Sequence, residues 1–235
     1  MSKPSNPYDI VIQNNFFKDG LKEIEIYNYW LKKKNEILQE LDNSYSIFYI
    51  MSDKNDVVVR RKQNSENLIK LTPMNYEKLV NGRLIGILRV FENSSNFGVI
   101  DIDSPESVLS VSTPADFEKT KEIAAEVYDY FNRLFKCRLL YTGKNGFHIR
   151  CHFTTTMNMN KIKSVFETHV KGSSLKSFLT KRNISLPNID LSPNMKNGGF
   201  IIPHSLNKIG LPCVEVNRKH LESFKRESLV KEVRS

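Results

Sequence analysis

Apolar and polar positions follow two rhythms along this 235-residue chain. Ile24, Tyr27, Trp30 and Leu31, then Ile37, Leu38 and Leu41, recur at spacings of three and four. That spacing predicts one amphipathic helix of roughly 20 residues ending near Asn43. Ser46–Met51 and Asp56–Arg60 are β-rich runs split by a polar turn and predict a hairpin. Leu68–Leu71 and Gly86–Phe91 predict further strands, with a short helix over Asn75–Val80 between them. Asn93–Asn96 reads as a turn before an apolar strand that begins at Phe97.

In the second half, Thr113-Pro-Ala-Asp116 opens a helix, with proline and an acid in the first turn. Phe117, Ile123, Ala124, Val127, Tyr128, Phe131, Leu134 and Phe135 carry its apolar stripe to about Lys136. Arg138–Tyr141 and Phe147–Thr154 predict a second hairpin around the loop Thr142-Gly-Lys-Asn-Gly146. Helices follow over Asn160–Val170 and Leu175–Thr180, then strands over Phe200–Ile202 and Leu211–Val216 and a charged tail helix from Arg218. Elements alternate without an internal repeat or a flexible linker, so the expected class is mixed α/β (α+β). One domain is expected over 1–235: an N-terminal subdomain to about residue 92, a core over about 93–217, and a tail over 218–235.

Composition narrows the partners. No apolar run approaches the ~20 residues of a membrane span, and the polar N-terminus has no signal-peptide core, so the expectation is an intracellular protein with no membrane partner. Cys137, Cys151 and Cys213 are odd in number, distant in sequence and in apolar context. They predict buried free thiols rather than a disulfide framework or a structural zinc site. The formal net charge is +9. Residues 1–150 hold 21 basic and 20 acidic residues (+1), and residues 151–235 hold 14 and 6 (+8). Such a concentration fits a polyanion-binding surface, and it also fits a solvated lysine-rich face.

The candidate chemistry starts at Phe97-Gly-Val-Ile-Asp101-Ile-Asp103. Acids at i and i+2 of a strand share a face, where they repel unless a cation lies between them. Magnesium and manganese take such hard oxygen ligands. An Asp-x-Asp also serves nucleotide-sugar transferases and calcium loops. In Thr142–His148 the glycines let backbone amides approach an anion, and Thr142 and Lys144 add a hydroxyl and a cation. Alternation puts His148, Arg150 and His152 on one strand face and Phe147, Ile149, Cys151 and Phe153 on the other. That polar row suits phosphate oxygens; an ordinary hairpin with a polar outer face gives the same pattern. Asp190 shares residues 151–200 with one other acid, Glu167, and is a candidate third ligand or a turn cap. Pro203–Gly210 is a polar segment suited to phosphates or to a hairpin loop.

In their order, Ile100-Asp-Ile-Asp103, the Thr142–His148 loop, Asp190, and Pro203-x-Ser-Leu-x-Lys-x-Gly210 resemble the motifs of the archaeo-eukaryotic primase superfamily over residues 97–216. The resemblance implies an RRM-like mixed or antiparallel sheet flanked by helices, with a smaller N-terminal α/β subdomain. It implies template-directed transfer of NTPs or dNTPs to a 3′-hydroxyl, in priming or in gap-filling repair, on a DNA template and primer. By the same resemblance Asp101, Asp103 and Asp190 are the catalytic acids and hold two Mg²⁺ or Mn²⁺ ions. Thr142, Lys144 and His148 bind the triphosphate, with Ser205 and Lys208 near it. Phe17–Lys22 before a helix, followed by Val57–Arg61, looks like the polymerase domains of bacterial end-joining ligases. That makes Lys18 and Lys22 candidate 5′-phosphate ligands and adds Arg150 as a nucleic-acid candidate. It also implies a replication or nucleoid association, with ligase or helicase activity supplied by partner proteins. Three positions depart from the pattern. Thr142 stands where Ser is common, keeping the hydroxyl. Asn145 stands where many members carry Arg or Lys, and Asn207 where they carry His or Arg. The lost charges motivate an alternative, a non-catalytic nucleic-acid-binding subunit of a replication complex.

Overall fold

The computed structural model describes residues 21, 23–42, 44–51, 57–60, 69–104, 113–207 and 211–235. In chain order the first elements are α1 (Glu23–Lys32), α2 (Lys34–Leu41), β1 (Tyr45–Met51), β2 (Val57–Arg60), β3 (Ile69–Lys70), α3 (Pro73–Asn81), β4 (Leu84–Val90) and β5 (Ser94–Ile102). Then come α4 (Pro114–Phe131), β6 (Lys136–Tyr141), β7 (Phe147–Asn158), α5 (Met159–Lys171), α6 (Ser173–Thr180), β8 (Ile189–Asp190), β9 (Gly199–Ile201), β10 (Val214–Glu215) and α7 (Leu229–Arg234). The chain divides into two compact units. One takes its residues from 1–90, 201–214 and 225–235, the other from 91–200 and 215–224.

In the first unit β1 is the central strand. It pairs antiparallel with β2 (Phe48 opposite Arg60), with β4 (Phe48 opposite Ile87) and, at its start, with β3. The sheet order is β2-β1-β4-β9. Trp30, Phe48, Tyr76 and Ile87 are fully buried, and the Tyr76 hydroxyl donates to the Trp30 carbonyl at 2.7 Å. The single helix expected to Asn43 is two helices, α1 and α2, broken at Lys33 (φ −90°, ψ 8°). The buried positions Ile26, Tyr29, Trp30, Ile37 and Leu41 leave a gap in the apolar stripe where Lys33 stands, and Lys33 faces Glu36 and Glu232 instead. Thr72 caps α3 through a reciprocal bond with Asn75, so α3 begins at Pro73, earlier than the pattern indicated. The tail also differs: short 3₁₀ turns at Arg218–His220 and Arg226–Ser228 precede α7, in place of one helix from Arg218.

The second unit is built on an antiparallel sheet of order β10-β6-β7-β5-β8. β7 alternates as its sequence predicts. Phe147 stacks on Phe117 of α4 at 5.9 Å, and Phe153 meets Phe166 of α5 at 5.9 Å, so this face carries the helices. α4 stops at Phe131, five residues before the expected end. There Asn132 accepts the Cys137 N–H at its Oδ1 and turns the chain into β6. The expected turn at Asn93–Asn96 lies largely inside β5, as a register shift between Ser95 and Phe97. The strand expected over Leu211–Val216 is only β10, because Pro212 has no N–H to extend a ladder. All three cysteines are buried and free. Two that are distant in sequence are cross-strand neighbours: Cys137 lies opposite Cys151, with sulfurs 2.9 Å apart. Burial and the Cys137 contact push the Cys151 thiol well up, which keeps it protonated. No helix among the described residues is long and apolar enough to cross a membrane.

β5 can approach α5 because residue 98 is glycine. A Cβ there would come within 2.5 Å of the Phe166 ring, 2.6 Å of Ile162 and 2.8 Å of the Asn194 side chain. All three belong to packed elements with little room to yield. Gly98→Ala is therefore expected to destabilise the protein by about 1–3 kcal/mol, the usual cost of overpacking. Chemical denaturation of the variant beside the parent checks this; an unchanged midpoint contradicts it.

Candidate active site

β5 is flanked by β7 on one edge and by the two-residue β8 on the other. Asp101 is thereby paired twice, with His148 across one edge and Asp190 across the other. Residues directly opposite in antiparallel strands share a face, and Asp103 follows two positions after Asp101, one residue past the end of β5. Backbone pairing alone therefore brings Asp101, Asp103, Asp190 and His148 to one side of the sheet end, opposite the face that carries the helices.

The geometry within the cluster is specific. His148 is buried, and its Nε2 lies 3.3 Å from Asp101 Oδ1. That contact has the distance of an ion pair without hydrogen-bond alignment, and Oδ1 is buried with no hydrogen-bond partner among the described residues. Asp190 is exposed and does cap a turn: its two oxygens accept from the Ser192 N–H and hydroxyl, each at 2.7 Å. Asp103 stands at an exposed position, but one of its oxygens lies against Gly146, where a Cβ would overlap it and come within 2.6 Å of the Ile102 carbonyl. Its carboxyl is pushed up to about 6. The main cause is lost hydration, followed by the Asp101 charge; His148 and Lys144 pull the other way, and Asp190 adds a further push upward.

The loop between β6 and β7 is closed by its own backbone. The Thr142 N–H and hydroxyl both donate to the Gly146 carbonyl at 3.0 Å. The Tyr141 hydroxyl donates to the Lys144 carbonyl at 2.8 Å, and Gly143 takes φ 81°, a conformation that favours glycine. Thr142 and Asn145 are buried in this loop, and Lys144 is half-buried. The contact at Gly146 brings the loop against the acid strand, so the two segments form one site.

Other candidates lie elsewhere or have structural partners. Arg150 is buried, with its guanidinium 5.2 Å from the Phe97 ring and 5.3 Å from the Phe200 ring. Ser205 belongs to the first unit, where its buried hydroxyl accepts the Ile87 N–H at 2.8 Å and donates to the Leu206 carbonyl at 3.1 Å. Lys18, Lys22 and Lys208 lie outside the described residues. Two residues of the site were not singled out from the sequence. Ser192 holds the Asp190 carboxylate, and Asn194 holds the backbone of β5. Ser-Pro-Asn after an aspartate signals a turn, but nothing local signals Asn194's partner 95 positions earlier.

The donors fit a hard divalent cation. They are carboxylate oxygens, and the buried, unbonded Oδ1 of Asp101 is a lone pair that a cation would satisfy. As they stand, no three His, Cys, Asp or Glu side chains among the described residues are gathered into a complete metal-binding group. Magnesium sites commonly use one or two carboxylates and complete their shell with waters and substrate phosphates.

No protein-family model and no curated protein matches the chain. Among solved structures it is similar to the polymerase domain of Mycobacterium tuberculosis Ligase D, solved in complex with DNA. That match has a TM-score of 0.71 and 11% identity and covers 99% of this chain and 94% of the other. A looser match, TM-score 0.43 at 12% identity, covers 87% of this chain and 98% of the archaeo-eukaryotic primase domain of the cyanophage S-2L primase-polymerase. The mixed α/β architecture, its two sheets and the match over 99% of the chain give this protein the fold of the Ligase D polymerase domain.

Proposed function

We propose that this chain is a divalent-metal-dependent, template-directed nucleotidyltransferase that extends a 3′-hydroxyl with NTPs or dNTPs, in priming or in gap filling. The observation that carries the reading is the double pairing of Asp101, to Asp190 on one side and His148 on the other, beside the closed Thr142–Gly146 loop. In this reading Asp101, Asp103 and Asp190 hold two Mg²⁺ or Mn²⁺ ions, which supply charge stabilisation at the attacking oxygen and at the triphosphate. His148 keeps the Asp101 carboxylate turned toward the cluster. Thr142 shapes the loop through its bonds to Gly146, and Lys144 offsets triphosphate charge. Lys208, and Lys18 and Lys22 for a 5′-phosphate, remain part of the proposal on sequence grounds. Ser205 and Arg150 act through the fold rather than by touching nucleotide. DNA template and primer are the partners.

A second reading, a non-catalytic nucleic-acid-binding subunit, is favoured by the incomplete metal-binding group and by the neutral side chains of Asn145 and Asn207. Activity separates the two. The Asp101→Ala, Asp103→Ala double variant should lose primer extension with Mg²⁺ or Mn²⁺ while still binding primed template. Extension that survives in the double variant sinks the first reading. A wild-type chain that binds DNA but neither extends it nor binds nucleotide with Mn²⁺ selects the second.

The acids also set a pH dependence. Asp103 ordinarily titrates near 3.8 and is raised to about 6 in the fold. The folded state therefore holds this proton more tightly than the unfolded chain. The group's favourable contribution is complete below about 3.8 and is lost as pH rises through about 6. Without divalent ions, Asp103→Asn is expected to melt above wild type at pH 7.5, with a difference that shrinks as pH falls from 6 toward 4. A difference that stays flat with pH contradicts the assignment.

If the +8 carried by residues 151–235 tracks DNA phosphates, affinity for primed template falls steeply with salt, with a log–log slope of roughly 0.9 per phosphate neutralised. A salt-independent affinity removes these residues from DNA binding.

A further inference from the structure

Asn194 is fully buried, and its amide makes a fixed set of bonds. Its Oδ1 accepts the Val99 N–H at 2.7 Å, and its Nδ2 donates to the Val99 carbonyl at 2.5 Å and to the Leu191 carbonyl at 3.3 Å. Only one orientation of the amide satisfies these partners, because Val99 offers both a donor and an acceptor. The side chain thus behaves as a missing rung of the sheet. β8 pairs with β5 at Asp101 and Ile102 and then ends. In that register the next residues, Leu191 and Ser192, would lie opposite Ile100 and Val99, but there the chain turns away through the 3₁₀ turn Ser192–Asn194. Backbone groups two residues apart on a strand point to the same edge, so Val99 would otherwise present an unpaired N–H and carbonyl beside Asp101. Asn194 occupies that place, and Gly98 leaves the room for it.

The same turn is tied to the acid. Asp190 holds Ser192 by two bonds, and Leu191 holds Asn194 by its carbonyl to both the Asn194 N–H (3.0 Å) and Nδ2. Asp190 is thus connected to β5 at two points, through its own pairing with Asp101 and through Asn194 on Val99. With a single two-residue strand, the first connection alone leaves β8 free to fray. Two like charges placed opposite each other push it outward.

We propose that Asn194 is a positioning residue that fixes the separation of Asp101 and Asp190, and hence the affinity of the acid cluster for divalent cations. The inference rests on the reading of that cluster as a metal site. Its effect is on the ion, because substrate contacts lie on the other segments of the site.

The test uses the full chain and Mn²⁺ alone, titrated at a temperature well below each variant's melting point and read by the electron paramagnetic resonance of the free ion. Asn194→Ala should weaken Mn²⁺ binding about tenfold, as loss of a group that orients metal ligands commonly does. Asn194→Ser carries the same expectation if the alanine variant does not fold. Leu175→Ala, a fully buried position on α6, serves as a control that lowers stability without touching the cluster. Primer extension should recover in the Asn194 variant as Mn²⁺ is raised, with the apparent affinity for primed template unchanged. Mn²⁺ binding within twofold of wild type, or an equal loss in Leu175→Ala, overturns the positioning role. If wild type binds no Mn²⁺ that Asp101→Asn weakens, the metal-site reading itself falls, and with it this proposal.

Discussion

Everything in this site depends on carboxylates held close together against their own repulsion. The force that holds them is the backbone ladder of β5. Its register places Asp190 opposite Asp101, and the i, i+2 step brings Asp103 to the same face. Like charges opposite each other in a sheet are destabilising. The crowding also shows in Asp103, whose proton affinity is raised chiefly by lost hydration and further by the Asp101 charge. Such a cost persists only where surrounding structure over-determines the arrangement. Several features of the second unit serve that purpose: the buried His148 against Asp101, Ser192 bonded to Asp190, Asn194 on Val99, and glycines at 98 and 146 where neighbours press close.

The strands divide labour between their two faces. On β7, Phe147, Cys151 and Phe153 point to the helical layer, while His148 stands beside the acids. Arg150 shows that the polar face is not uniformly open. It is buried, and the rings of Phe97 and Phe200 lie within cation–π distance of it. Rigid packing on one face is what allows an electrostatically unfavourable cluster on the other, since the helices anchor β5 and β7 whatever the charges do.

Much of this was legible in the sequence, for physical reasons that also mark the limits. Strand alternation is local, so the faces of β7 and the shared face of Asp101 and Asp103 followed from spacing alone. The β6–β7 hairpin followed from two glycines between apolar runs. Helix ends were less legible. Lys33 broke a stripe that looked continuous, and the turn at Asn132 stopped α4 before its apolar pattern ran out. What local pattern could not reveal was pairing at long range. The cross-strand contact of Cys137 with Cys151, the bond from Val99 to Asn194 and the seat of Asp103 against Gly146 depend on which strands meet and in what register. Ser205 shows the same limit: its hydroxyl accepts from the Ile87 N–H, a partner 118 positions earlier that no local pattern signals.

The central claim is that the acids of β5 and β8 form a divalent-cation site for nucleotidyl transfer. The most direct test is anomalous scattering from crystals of the chain grown with Mn²⁺, a primed template and a non-hydrolysable incoming nucleotide. Manganese peaks are expected beside Asp101, Asp103 and Asp190, with the nucleotide's phosphates on the Thr142–His148 side. An ordered nucleotide with no manganese at these acids would contradict it.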